Sequence, residues 1–586
     1  MNKIKKMTSG VLKVIGAVPM CLFATLLMNS CVDTVLLPDD KTVDEDFWKT
    51  KSDVSSMVTG AYYSMLSSSV LDKLMVWSDF RSDELVPVSS PTKVALTEIY
   101  AVNIQTTNQY ADWGPLYSVI NNCNIVLDRA KNVMNIDPSY TEGDYLTDRS
   151  QMLALRALCY FYLVRNFRDV PYSSHAYMNS SEKMNIPQSS PDSVLTLCIN
   201  DLQEAEKTAL DPTAFVDWRS KGLINRDAIQ AILADIYLWR ASINHSTEDY
   251  AQCVSYCDKI IESKKANHIQ KPNETILKDY PLSDGQDMFN DLYITQNAEE
   301  SIFELQFNGV NNSNAAVCQN LYKYSSNSST TGYMKASTLF GSNAVIYVNN
   351  NAGKYSDYRF WQNCFKVDAG AESYDVRKMT TSTQSSSGDP NTRKAYIRDE
   401  RAYDRFAQNY IFYRLSDIML MKAEAMTQMA IDDKDVQLRQ AFNIVKYINS
   451  RSIYQPNLSS DSLKWSYYNT KVSMENLVLN ERLRELSFEG KRWYDLMRFN
   501  YRRVTGVDYT TTLATQAEEG REFVRNNADM LNLVVRKYTS GGQAAASKMR
   551  TEPYLYMPVL QREMDVNPVL KQNPAYSSNE DYTKNY

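Results

Sequence analysis

The sequence predicts a mainly α-helical protein that carries one long loop-rich insertion. Three observations lead there. Apolar side chains recur at helical spacing in one segment after another along most of the chain. These segments fall in neighbouring pairs joined by modest connectors, the pattern of helical hairpins, although no fixed period links them as in a regular repeat array. The stretch Asn308–Arg401 breaks the pattern: it is rich in Ser, Asn, Thr, Gly and Tyr and has no sustained helical period. Its aromatic content argues for a folded, functional segment.

Taken in order, the chain opens on a leader. Met1–Ser30 carries Lys3, Lys5, Lys6 and Lys13 without an acid, then the apolar run Val14–Leu27, which reads as a secretory signal peptide. The run ends in Leu26-Leu27-Met28-Asn29-Ser30-Cys31, which resembles a bacterial lipobox with Asn29 bulkier than the usual small residue. Cys31 would then be the acylated first residue of a tether over 31–42, and the folded body runs over 43–586. Within it the N-terminal part covers about 43–300, the loop-rich region about 308–401 and the C-terminal helical part about 402–586.

Past Asp46-Phe47-Trp48, the spacing of Val54, Met57, Val58, Ala61 and Tyr62 predicts the first helix. Trp113–Ala130, Arg149–Phe167, Asn225–Ala241 (with Asn225 as its cap), Tyr250–Glu262, Phe412–Gln428, Val436–Ile453 and Met474–Phe499 follow. In the last of these, Leu479, Leu483, Leu486, Gly490, Trp493 and Met497 form one stripe. Glu481 with Arg484, and Glu489 with Arg492, are spaced to pair along its flank, so Glu481, Glu485 and Glu489 read as structural charges.

Composition narrows the chemistry. With 44% hydrophobic and 23% charged residues in 586, the chain reads as folded, and net charge −6 disfavours a nucleic-acid footprint. The 3 histidines, His175, His245 and His268, share no helical spacing, which argues against a histidine zinc site or histidine catalysis. Beyond Cys21 and Cys31, the scattered Cys123, Cys159, Cys198, Cys253, Cys257, Cys318 and Cys364 read as buried thiols and not as a disulfide framework. The sequence contains no Walker glycine loop, G-x-G-x-x-G, H-E-x-x-H or G-x-S-x-G. Asp284, Asp287, Asn290 and Asp291 lack EF-hand spacing and read as a solvated loop. The inventory of 40 Tyr, 18 Phe and 8 Trp suits a polar, uncharged ligand that stacks and hydrogen-bonds.

Five ordered segments carry a resemblance. They are Asp46-Phe47-Trp48-Lys49-Thr50 with Gly60-Ala61-Tyr62 after the lipobox, Arg156-Ala157-Leu158 through Phe167-Arg168-Asp169-Val170-Pro171, and Tyr413-Arg414-Leu415-Ser416-Asp417. The most specific is Asn480-Glu481-Arg482 through Phe488-Glu489-Gly490-Lys491-Arg492-Trp493-Tyr494-Asp495, and Leu555-Tyr556-Met557-Pro558 through Asn573-Pro574-Ala575-Tyr576 closes the set. Together they resemble the SusD/RagB family of outer-membrane lipoproteins; Arg168 departs from the family's usual glycine.

The resemblance implies a SusD-like helical scaffold with TPR-like helix pairs, anchored by lipid alone at the cell surface and acting without a cofactor. It implies an oligosaccharide ligand and a SusC-like TonB-dependent transporter as partner, which the protein would lid. The glycan site is expected in loops after the first helix and in the insertion, where aromatics stand beside charges: Trp77, Asp79 and Arg81, and Tyr358, Arg359 and Trp361. Tyr100, Tyr110, Tyr324 and Tyr347 are further candidates. The competing readings are a peptide-binding lid of the same family and a cell-surface glycan hydrolase, although no carboxylate pair stands out for the latter.

Overall fold

The computed structural model describes residues 47–88, 92–179, 182, 185–269, 279–322, 324–325, 330–340, 357–364, 376–379, 406–453 and 463–577. The chain divides into a unit ending at Trp48 and a second unit from Lys49 to Tyr586. The leader, Cys31 and the tether lie outside the described residues, as do Tyr347 and the side chain of Tyr324.

The second unit is mainly helical. Its helices are α1 (Lys51–Met65), α2 (Ser68–Met75), α3 (Val94–Tyr100), α4 (Gly114–Val133), α5 (Glu142–Phe167), α6 (Pro191–Glu206), α7 (Arg219–Gly222) and α8 (Arg226–Asn244). After them come α9 (Thr247–Ala266), α10 (Arg359–Gln362), α11 (Leu415–Met429), α12 (Val436–Arg451), α13 (Lys471–Leu486), α14 (Arg492–Tyr501) and α15 (Gln561–Val566), with further short helices, Leu513–Glu518, Ala528–Val534 and Gly542–Lys548, between the last two. Their starts follow from capping chemistry. Thr50 and Asp53, and again Thr141 and Asp144, exchange side-chain and backbone hydrogen bonds in capping boxes at α1 and α5. Asn225 caps α8 by accepting from the Ala228 amide at 3.1 Å.

Packing follows the pairs. α4 lies on α1 and α5, α5 on α6, α6 on α8, α8 on α9, α9 on α11, and α11 on α12 and α13. α5 from Ser150 to Phe167 and α8 from Asp227 to Trp239 are buried on every side, so these two helices form the middle of the core. All seven cysteines of the body are buried and unbridged.

Strands are few and two-stranded. β1 (Leu85–Pro87) pairs antiparallel with β3 (Met334–Ala336), and β2 (Ser301–Leu305) with β4 (Tyr410–Arg414). β4 corrects the expected helix start at Phe412: the β-favouring run Tyr410-Ile411-Phe412-Tyr413 enters a ladder, and α11 begins only at Leu415.

The helix expected over Met474–Phe499 is two helices. Between α13 and α14, Phe488 and Gly490 adopt φ values of +61° and +74°, and the Gly490 amide donates to Asp79 at 2.9 Å. A Cβ at Gly490 would collide with the Tyr410 hydroxyl, so glycine here serves a turn and a close approach. The glutamates expected as structural charges along the helix flank are buried. Glu481 does pair with Arg484, at 2.5 Å, but Glu489 pairs with Arg414 at 2.8 Å and Lys378 at 2.7 Å, and Arg492 turns to Asp83 at 2.8 Å.

Candidate ligand-binding cleft

The six side chains expected to meet a ligand lie deeper than the sequence suggests. Trp77, Asp79 and Arg81 do not sit in a loop: Val76–Phe80 is a π-helical turn continuing α2, and Arg81 follows it. Trp77 is fully buried, its indole N–H donating to the Tyr110 carbonyl at 2.7 Å and its ring meeting Phe167 edge-on. Asp79 is fully buried, and burial pushes its carboxyl up to about 7 against the pull of the Gly490 amide. Arg81 donates to the Leu555 carbonyl and lies 4.5 Å over Trp493, and burial lowers its guanidinium to about 10.

The second trio occupies α10 and the residue before it. Tyr358 belongs to an apolar cluster with Met288, Phe289, Leu292 and Tyr293, against which the half-buried Trp361 packs. Arg359 is fully buried and pairs with Asp357 at 2.8 Å, Glu481 at 2.7 Å and Glu485 at 3.0 Å. In this conformation Trp77, Asp79, Arg81, Tyr358 and Arg359 are closed to solvent because packing and ion pairing already use them.

The two chain regions do meet elsewhere. The β1–β3 ladder carries Tyr333 beside the N-terminal helices, where its carbonyl accepts from the Val88 amide at 2.9 Å. The Lys93 ammonium stands 5.0 Å from the Tyr110 ring centre and 5.3 Å from that of Tyr333, and donates to the Tyr110 hydroxyl at 2.8 Å. It lines a polar cleft of about 490 Å³ between the start of α2, the 107–112 segment, the 316–321 turn and the start of α15.

Asp72, Asp112, Lys73, Lys93 and Arg562 bring both signs of charge to the walls, and Ser69, Thr107, Gln109 and Asn320 bring hydroxyls and amides. Asp112 accepts from the Gly114 amide at 3.0 Å and lies 3.5 Å from Arg562. One carboxylate oxygen of Asp72, Oδ1, is buried without a hydrogen-bond partner among the described residues. Burial raises the Asp72 carboxyl, with Lys73 and Lys93 pulling it back, and lowers the Lys93 ammonium, with Asp72 holding it up. Such a cleft offers donors and acceptors in several directions with little net charge, which suits a polyhydroxylated ligand.

Sequence reasoning reached Tyr110 as a further candidate but missed Asp72, Lys93, Asp112 and Arg562. The legible signal was the alternation Asn108-Gln109-Tyr110-Ala111-Asp112-Trp113, in which Asn108 caps a short turn by accepting from the Tyr110 amide at 2.9 Å. Trp77 stands one layer behind, holding the Tyr110 carbonyl. The cluster Asp284, Asp287, Asn290 and Asp291 leads into a π-helical turn, Asn290–Thr295, and no group of three or more metal-ligating side chains gathers among the described residues.

Two family models match the chain: one described as the SusD family over residues 382–576, the other as starch-binding associating with outer membrane over 37–238. SusD-like protein P38 of Formosa agariphila is 24% identical over 81% of this chain and 89% of its own length. SusD-like protein P2 of the same organism is 25% identical over the same shares. Among solved structures, a SusD superfamily protein from Bacteroides vulgatus covers 90% of this chain and all of its own, with TM-score 0.66 at 17% identity. A laminarin binding SusD-like protein also covers 90% of this chain and all of its own, with TM-score 0.59 at 17% identity. Among the described residues no helix is long and apolar enough to cross a membrane.

Proposed function

The chain belongs to the SusD/RagB family of nutrient-binding proteins, and from that membership we propose that it captures an oligosaccharide in the polar cleft around Lys93. The observation that carries this reading is the convergence there of Asp72, Lys93, Asp112 and Arg562, with Asp72 Oδ1 left without a hydrogen-bond partner among the described residues. Sugar hydroxyls both donate and accept, so alternating carboxylates, cations and amides match them in a way a purely basic or purely acidic pocket does not. The family model described as starch-binding and the laminarin-binding structural neighbour support a glycan as the ligand class. The reading is one of binding and not of catalysis.

Cys31, acylated, would hold the body at the outer-membrane surface. There the protein would lid a SusC-like TonB-dependent transporter, and a ligand bound at the lid would favour the closed state by its higher affinity for it. Radiolabelled palmitate should enter the wild type and be lost in Cys31→Ala. Co-purification of the barrel with tagged protein from outer membranes tests the partnership, and its absence would remove the lid.

Titration calorimetry against neutral polysaccharide and peptide pools tests the cleft. Lys93→Ala and Asp72→Ala should each weaken glycan binding by about tenfold or more, the cost of a lost charge-assisted hydrogen bond. Thermal melting should stay close to wild type for Lys93→Ala, whose side chain is half-buried. Unchanged glycan affinity in both variants, or affinity for peptides alone, would sink the reading.

A further inference from the structure

A second cavity, of about 500 Å³, lies between α1, α7 and the segment after β2. It shares no lining residue with the polar cleft, and every described residue that lines it is uncharged. Tyr62, Tyr63, Trp218 and Phe307 give it an aromatic wall, and Thr59, Gln306, Asn308 and Asn312 give it hydroxyl and amide groups. Trp218 is 51% and Tyr63 62% exposed, unusual for large aromatic rings in a chain whose other tryptophans mostly lie inside.

The Trp218 indole is held as a ledge. A Cβ built on Gly222 would lie 2.8 Å from its Cε3 and 2.7 Å from Gln306 Cγ, so only glycine lets the ring settle between them. Arg219 locks the turn from the other side, donating to Asp217 at 3.0 and 2.8 Å while lying 4.2 Å over Phe215. The polar edges around this ledge are open. The oxygen of Asn308 accepts from the Val310 and Asn311 amides at 2.9 Å, while its NH2, the Tyr63 hydroxyl and the Trp218 indole N–H have no partner among the described residues.

We propose that this cavity is a second saccharide site, which takes a neutral sugar ring on the Trp218 ledge; the proposal rests on the glycan reading of the polar cleft. A pyranose presents a C–H face to the indole and hydroxyls to the Asn308, Tyr63 and Trp218 edges. A charged ligand would enter a cavity that offers it no counter-charge. An apolar side chain would cover the same three polar edges without satisfying them. Leu66 lines this cavity and Ser68 the polar cleft, so at the α1–α2 corner the rims are about 7 Å of chain apart. One polysaccharide engaging both sites gains by effective concentration.

Affinity electrophoresis of the full chain through gels containing laminarin, amylopectin, xylan or galactomannan tests this, with migration in a glycan-free gel as the folding control. In the gel that retards the wild type, Trp218→Ala and Tyr63→Ala should each cut the retardation at least threefold. Combining Trp218→Ala with Lys93→Ala should abolish it. If both aromatic variants are retarded like the wild type while Lys93→Ala is not, the second site is overturned and the polar-cleft reading stands. If no gel retards the wild type, both fall. If a pool of apolar peptides binds the wild type and not Trp218→Ala, with polysaccharide retardation unchanged, the cavity belongs to a peptide and the proposal is overturned.

Discussion

Asp79 and Glu84 are two buried carboxyls whose environment disfavours ionising both. Burial lifts Asp79 to about 7 and Glu84 well above its ordinary value, and for Glu84 the nearby Asp79 adds to the rise while Arg492 offsets part of it. The groups facing Asp79 include the Gly490 amide, which donates at 2.9 Å, the Arg492 amide, Glu84, Glu489, Tyr322 and Tyr410. A carboxyl whose folded pKa exceeds its unfolded value of 3.8 binds more protons folded than unfolded between the two. Its contribution to stability is therefore full below the unfolded value and is lost as pH rises towards 7, at up to about 1.4 kcal/mol per pH unit. Asp79→Asn keeps an acceptor for Gly490 and cannot ionise, so its stability relative to wild type should rise between pH 4 and 7 in urea titrations. A constant difference across that range would show that Asp79 is not held protonated by burial. The aromatic-beside-charge signal at Trp77–Arg81 identified this neighbourhood but not its depth, because residue types say which groups can hydrogen-bond and not whether the protein has already satisfied them. Trp77 reports on the cleft only through Tyr110.

At the scale of elements, most of the helices that the spacing predicts end within a few residues of the observed ones because apolar spacing and caps are local signals, as Asn225 at the start of α8 shows, whereas α6 (Pro191–Glu206) is not predicted. What failed was the apolar stripe through Gly490, which passes as helix on paper while the backbone turns. The reason is tertiary: the Gly490 amide is drawn to Asp79 and Glu489 to Arg414 and Lys378, none of them near in sequence. This separates two costs of a side chain. At Gly490 the φ of +74° and the Tyr410 hydroxyl both oppose a Cβ, so Gly490→Ala should cost about 2–4 kcal/mol. At Gly520 the φ is +67° but nothing lies within 4 Å, so Gly520→Ala should cost only about 1 kcal/mol. Urea unfolding of both variants checks this; equal losses would show that the Tyr410 contact yields without cost.

At the scale of the whole molecule, a buried cluster joins segments that are far apart in sequence. Arg359, Lys378, Arg414, Arg451 and Arg484 face Glu300, Asp357, Glu481, Glu485 and Glu489, so that among these described residues the two signs balance. No spacing rule could have assembled this set, since its members come from α10, β4, α12 and α13, from Glu300 just before β2, from Asp357 and Glu489 in turns, and from Lys378 in the 376–379 segment. Glu485 sits at its centre, 2.7 Å from Arg414 and 3.0 Å from Arg359, and also paired to Arg451. Burial works to raise its pKa, but these three guanidiniums outweigh burial and hold the carboxyl well below the usual range. Glu300, Glu481 and Glu489 are lowered for the same reason, and Asp417, between Lys491 and Arg482, falls to about 2. A carboxylate lowered on folding takes up protons on unfolding, so the sign is opposite to that at Asp79. The stability it brings is complete above the unfolded pKa of 4.5 for glutamate and is lost as pH falls through the folded value. Several such groups acting together predict a steep acid limb, with the melting temperature falling sharply below about pH 4.5. Because these groups are inside, the limb should persist in 0.5 M salt, where exposed pairs are screened within about 4–5 Å. Glu485→Gln leaves three guanidiniums short of one carboxylate and should lower stability at pH 7 by about 3–5 kcal/mol, while making the acid limb shallower. An acid limb unchanged in slope by Glu485→Gln, or abolished by salt in the wild type, would move the origin of acid sensitivity from the cluster to the surface.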